Sequence, residues 1–221
     1  MGWLEFLAAF AVFFAAHNIP TRPDIKTRLV ARLGQRGFGL CYSGLSLLAL
    51  YWLLIAAGRA PLAQLWHWAP WHNLVPIAVM ALVILILALS LGRPNPFSFG
   101  GANTAAFDPK RAGVVRWTRH PVLAALFLWA SAHLVANGTL AHVIVFGIFA
   151  VFALLGTRLI DRRKRRELAD WTTLQIAMKS APWVYRPPSW RGFFLRLGIA
   201  ALCYVTLLWA HGALFGVSPL V

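Results

Sequence analysis

Cysteine, charge and repetition are all scarce in this chain, and each scarcity excludes something. Two cysteines, Cys41 and Cys203, stand alone in 221 residues. They lack the paired spacing of a zinc site, and no Cys-x-x-Cys-His run attaches haem covalently. Both are expected to be buried thiols that pack as small hydrophobes. Charged residues are 12% of the chain against 60% hydrophobic, which excludes an ordinary soluble domain. No Gly-rich phosphate loop is present, so nothing points to a nucleotide pocket. No repeat or low-complexity segment stands out. The opening Met1-Gly2-Trp3-Leu4-Glu5 lacks the basic start of a secretion signal, so the first apolar run reads as a retained span.

What the chain does have is long apolar runs. Stretches 38–57, 73–91, 121–136, 140–160 and 193–215 are each long enough to cross a bilayer. A sixth, 3–16, is short and ends in "HNIP". The expected fold is all-α: a single domain over 1–221, an integral membrane bundle of about six transmembrane helices. The formal charge of +15 would suggest nucleic acid in a soluble protein, but its placement argues otherwise. Of the 21 Lys and Arg, only Arg59 falls outside the loops 17–37, 92–119 and 161–192 and their borders. The positive-inside bias puts those loops in the cytoplasm and both termini on the outer, periplasmic side of an inner membrane. The expected partner is the lipid bilayer, not nucleic acid, and a homo-oligomer stays open.

Between the spans, the first basic loop has Ile25, Leu29, Val30 and Leu33 at the spacing of a short interfacial helix closed by Gly34. Trp66, Trp68 and Trp71 read as an aromatic belt, with His67 and His72 as interfacial polar residues. The Pro/Gly-rich loop "GRPNPFSFGGANTAAFDPKRAGVVRWTRHP" is long enough to fold over the cytoplasmic mouth of the spans. After the basic run "DRRKRRE", Leu168, Trp171, Leu174 and Met178 recur at helical spacing. That helix is expected to lie on the inner membrane surface, in contact with anionic lipid.

Ionisable side chains inside spans are costly, so each is a candidate for function. His142 and His211 sit near outer span ends and read as interfacial. His17 closes the first span, His120 precedes Pro121 at a helix start, and His133 lies deep in an apolar helix, with Asn137 one turn above to hold its ring. On a straight helix thirteen residues correspond to a rise of about 20 Å and a rotation of about 220°. His120 and His133 therefore cannot grip one ion together, and each needs a partner from another helix, for which His17 is the obvious source. A buried haem or metal and a merely hydrogen-bonded histidine both stay open on the residues alone.

The segments "AHNIPTRP", "LGQRGF", "GVVRWTRHP", "WASAHLVANG" and "DRRKRRELADW" resemble, in order and over nearly the whole chain, the NnrU family of polytopic membrane proteins. Plant plastid zeta-carotene isomerase belongs to the same group. The resemblance implies a non-covalent haem b whose iron is held by two histidines, here His17 and His133. It implies cis–trans isomerisation of a lipophilic polyene as the reaction. Two positions depart from the pattern: Ala130 stands where the isomerase has a cysteine, and Gln35 where it has a glutamate. A cysteine-linked redox switch at 130 is thereby excluded.

Depth complicates the pairing, because His17 should lie near the cytoplasmic surface and His133 in the outer half. A short, sunken first span, or a fourth helix starting near Val114, would bring them closer. His17/His133 is the first pair and His17/His120 the second. Arg22, Arg116 and Arg119 are placed to pair with haem propionates, Asn137 to support the cofactor site, and His120 to act in catalysis. Two other readings remain: a non-enzymatic haem protein supporting nitric-oxide or denitrification metabolism, and a membrane methyltransferase or reductase built on the "RHP" loop.

Overall fold

The computed structural model describes residues 2–184 and 187–220. Among these described residues eight helices follow one another: α1 (Gly2–Asn18), α2 (Pro23–Arg59), α3 (Trp71–Ser90), α4 (Val114–Trp117), α5 (Pro121–Ala136), α6 (Leu140–Glu167), α7 (Trp171–Lys179) and α8 (Trp190–Phe215), with two single 3₁₀ turns between α3 and α4. No strand occurs among the described residues. Helices α2, α3, α6 and α8 are long and apolar enough to span a bilayer, and α1 and α5 are shorter apolar helices. The protein is an all-α, multi-pass membrane protein with about six spans. Helices suit that solvent because each satisfies its own backbone polar groups where no water is available.

The chain divides into two compact units, Met1–His67 with Gly138–Val145, and Trp68–Asn137 with Phe146–Val221. In the first unit α1 packs along α2 through a buried row of Phe6, Phe10 and Phe13. Their spacing of three and four residues keeps them on one helix face. Gly2 approaches the carbonyl of Arg59 so closely that a Cβ there would lie 2.5 Å from it. The Arg59 guanidinium meets Glu5 at 3.2 Å, which gives the one basic residue outside the basic loops a carboxylate partner. Gly34 breaks α2 with φ 70° and ψ 166°, a conformation that essentially only glycine adopts. The basic segment before it is thus a separate short helix, as the apolar spacing predicts. At the other end of the unit, Leu65 N–H donates to Gly138 O at 2.7 Å and Leu140 N–H to Ala63 O at 2.8 Å.

In the second unit α3 lies against both α5 and α8. Helix α5 meets α6 where Gly156 lets Leu123 in; a Cβ on that glycine would sit 3.2 Å from the leucine side chain. Farther along, the Trp129 ring packs on Phe146 and Phe149 at 5.3 and 5.6 Å between centroids. Helix α5 does not start near Val114. The turn α4 ends at Thr118 (φ −145°, ψ 126°), and His120 is non-helical at φ −119°, ψ 67°. The cause is Pro121, whose ring excludes helical backbone at the residue before it.

Two further expectations are corrected. The apolar side of α7 faces protein rather than lipid: Trp171 and Met178 are buried with Phe97, Ala112 and Val115, and Phe107, Leu168 and Leu174 pack around them. The 92–119 loop supplies that cover, because its own apolar residues need burial as much as those of α7 do. The two cysteines are exposed, not buried. Both sit on apolar span helices, where lipid is as good a solvent for a thiol as a protein core and no force turns it inward.

Trp171→Ala should open the loop. The Trp171 and Phe97 rings meet edge to face at 5.1 Å, and losing a buried indole costs about 3–5 kcal/mol. Limited proteolysis of purified protein is expected to cut within 92–119 in the variant while the parent resists.

Candidate functional site

The densest polar cluster lies where α5 begins, in the second unit. Asn95 and Ser98, in the loop leaving α3, are buried together with His120. The Asn95 side-chain amide donates to Arg119 O at 3.0 Å, and its oxygen accepts from Phe97 N–H at 3.0 Å, so one side chain fixes both ends of the loop. Asp161 on α6 then receives two partners. The Arg119 Nη2 lies 2.6 Å from Oδ2, and the His120 Nε2 lies 2.9 Å from Oδ1. The other ring nitrogen of His120, Nδ1, is 3.0 Å from the Ser98 hydroxyl.

This geometry fixes the state of His120. A carboxylate only accepts, so Nε2 carries the proton that meets Asp161. Burial is the largest influence on the ring and holds its pKa below the ordinary histidine value, against the opposing pull of the Asp161 carboxylate. The neutral imidazole therefore accepts from Ser98 Oγ–H at Nδ1. With 3% exposure and both nitrogens engaged, His120 has no atom to offer iron, and the second ligand pairing loses its donor. Any part His120 takes in catalysis would run through one of these two hydrogen bonds.

His17 and His133 are in a different state. The Nδ1 of His133 lies 2.8 Å from Trp129 O, and the Nδ1 of His17 lies 2.9 Å from Phe13 O. Each carbonyl is four residues back on the ring's own helix and can only accept, so Nδ1–H is the protonated nitrogen in both rings. Nε2 is thereby the unprotonated nitrogen, and no described residue hydrogen-bonds it. A histidine whose Nδ1–H is held by a carbonyl is the form that ligates a metal through Nε2. The His133 ring lies 5.4 Å from the rings of Trp129 and Phe146. His17 has Phe13 at 4.1 Å and Tyr42 at 6.0 Å in its own unit.

Among the described residues no three His, Cys, Asp or Glu side chains group as a metal-ion cage would require. A porphyrin brings four equatorial donors of its own, so a haem asks the protein for only one or two imidazoles. The donor chemistry of His17 and His133 fits that demand.

The family model described as "NnrU protein" matches residues 5–219. The chain belongs to the NnrU family. No curated protein and no solved structure matches it. In this NnrU chain the remaining expected site residues are placed as follows. Arg119 is committed to Asp161. Arg116 donates from Nε to Ala181 O at 3.0 Å, and its guanidinium covers the Trp183 ring at 3.9 Å. Arg22 is exposed at the start of α2. Asn137 donates its side-chain amide to the backbone carbonyl of His133 at 2.8 Å, so it closes the helix end rather than holding the ring. Asp161 is the residue the sequence pattern does not reveal. Its only signal is that it is the acidic residue at the head of a basic run, where a span should end.

Removing the carboxylate tests the cluster. Asp161→Ala strands the Arg119 guanidinium and the His120 N–H in a largely buried setting, at a cost of about 3 kcal/mol or more. Thermal unfolding in detergent should fall well below that of the parent. Arg163→Ala, which breaks an exposed, solvent-screened pair with Glu167 on the same helix, should leave the transition close to that of the parent.

Proposed function

We propose that this NnrU protein binds haem b non-covalently within the membrane, that His133 and His17 would hold its iron, and that it acts on a lipophilic polyene by cis–trans isomerisation. One observation carries the haem reading: the His133 ring, inside an apolar helix, has Nδ1–H fixed on the Trp129 carbonyl and Nε2 left unprotonated. His17 repeats the arrangement on Phe13. The pairing of the two and the choice of reaction rest on the family resemblance; the state of each ring is what its own unit contributes.

Each residue then has a definite part. Trp129 O fixes the tautomer and rotation of His133 and so leaves Nε2 as its unprotonated nitrogen. The Trp129 and Phe146 rings supply an apolar wall that keeps water from that nitrogen. His120, Ser98, Asp161 and Arg119 hold the start of the helix that carries His133. Bound there, a haem would supply iron redox chemistry to the reaction, while the chain's own residues hold and orient it. We place the protein in an inner membrane with its basic loops cytoplasmic and its termini outside, following the distribution of Lys and Arg.

Haem spectra of single variants test the assignment. Protein purified from haem-sufficient cells should show a Soret band and, once reduced, sharp low-spin bands that extract into acidified solvent. His133→Ala and His17→Ala should each lose the low-spin bands, since iron left with one axial imidazole changes spin state and is held less firmly. His120→Ala should keep the bands while lowering thermal stability. A colourless parent, or a His133→Ala variant with the parental spectrum, overturns the assignment.

A further inference from the structure

Beside the 92–119 loop and the end of α7 there is a cleft of about 560 Å³, away from the histidines. Lys110 and Arg111 line it together with Ala112, Ala177, Pro182 and Val184, which give it an apolar part. Asp108 also lines it, but its carboxylate is turned onto the chain itself, accepting from Lys110 N–H at 2.9 Å. Ser180 is likewise occupied, donating to Ile176 O at 3.1 Å. Two cations over an apolar wall suit an anionic group joined to a hydrocarbon, and suit a fully hydrated ion poorly.

A second observation sets the depth of this cleft. Exposed indoles follow its lining residues along the chain: Trp183, between Pro182 and Val184, is 65% exposed, and Trp190, six residues beyond Val184, is 64% exposed, while Trp117 is 49% exposed. Trp117 Nε1–H donates to Trp183 O at 3.0 Å, and Arg116 covers the Trp183 ring, so the aromatic group is fixed rather than dangling. Trp190 opens the spanning helix α8. Exposed tryptophans at the end of a span settle at headgroup level. The lip that carries Lys110 and Arg111 is therefore at the depth of lipid phosphates.

We propose that this cleft binds the headgroup of an anionic phospholipid, with Lys110 and Arg111 on the phosphate and the wall from Ala177 to Val184 along the glycerol and upper acyl chain. The site is independent of haem.

Native mass spectrometry of the full-length protein, with equimolar phosphatidylglycerol and phosphatidylcholine added in detergent, tests this. The parent should retain a phosphatidylglycerol molecule preferentially. Lys110→Gln with Arg111→Gln should weaken that retention by about tenfold, while Lys110→Arg with Arg111→Lys should restore it. Arg163→Gln with Arg166→Gln, which removes the same charge from α6, should leave it unchanged. Equal losses from the two charge-removing pairs would overturn the proposal, because a general field would then account for binding. Equal retention of the two lipids, or full displacement by inorganic phosphate at matched concentration, would overturn it as well.

Discussion

Asp161 accepts from two donors in the same place, the Arg119 guanidinium and the His120 imidazole, and the end of the second unit where α5 begins is organised around that carboxylate. Charges near an apolar interior are expensive unless each is matched, and a lone partner would be worse than none. Here the matching runs on through Ser98 to the loop and through Asn95 back to Arg119. The carboxylate therefore joins three pieces of chain that are distant in sequence: the loop leaving α3, the start of α5, and α6. Once α5 is seated at this end, the register of every residue farther along it is set, His133 included.

The histidines divide their labour by the partner each ring finds. Where the neighbour of Nε2 is a carboxylate, as at His120, the ring is locked into the protein on both sides. Where the neighbour of Nδ1 is the carbonyl one turn back, as at His17 and His133, the ring is oriented and no described residue hydrogen-bonds Nε2. Sequence position alone does not distinguish these cases; the second atom of each hydrogen bond does. Pro121 contributes indirectly, since by excluding helix at His120 it turns that side chain away from the α5 face and into the loop.

Much of the fold was legible in the sequence, and the failures share a cause. Apolar runs marked all six span-forming helices, and 121–136 matched α5 residue for residue. The break at Gly34 was readable because glycine is what such a backbone demands. Helix α6 was read too short: hydropathy ends at 160, but the helix continues to Glu167, with Arg163 and Lys164 paired to that glutamate at 2.5 and 2.8 Å. Asp161 lies in that missed extension. Its partners are 41 and 42 residues away, a separation that no local pattern records. The outward cysteines and the inward face of α7 were misread for the complementary reason. An apolar residue in such a chain satisfies itself against lipid or protein equally well, so hydrophobic spacing shows which face is apolar and not what covers it.

The central claim is that the histidines occupy two distinct proton states set by these partners. Nitrogen-15 spectra of histidine-labelled, haem-free protein measure this directly, with His120→Gln and His133→Gln assigning the signals. The account predicts that His133 carries its proton on Nδ1 and that added haem shifts its Nε2 resonance. It predicts that His120 carries its proton on Nε2 and is unmoved by haem. A His133 ring protonated on Nε2, or a His120 resonance that shifts on haem addition while that of His133 stays still, would contradict it.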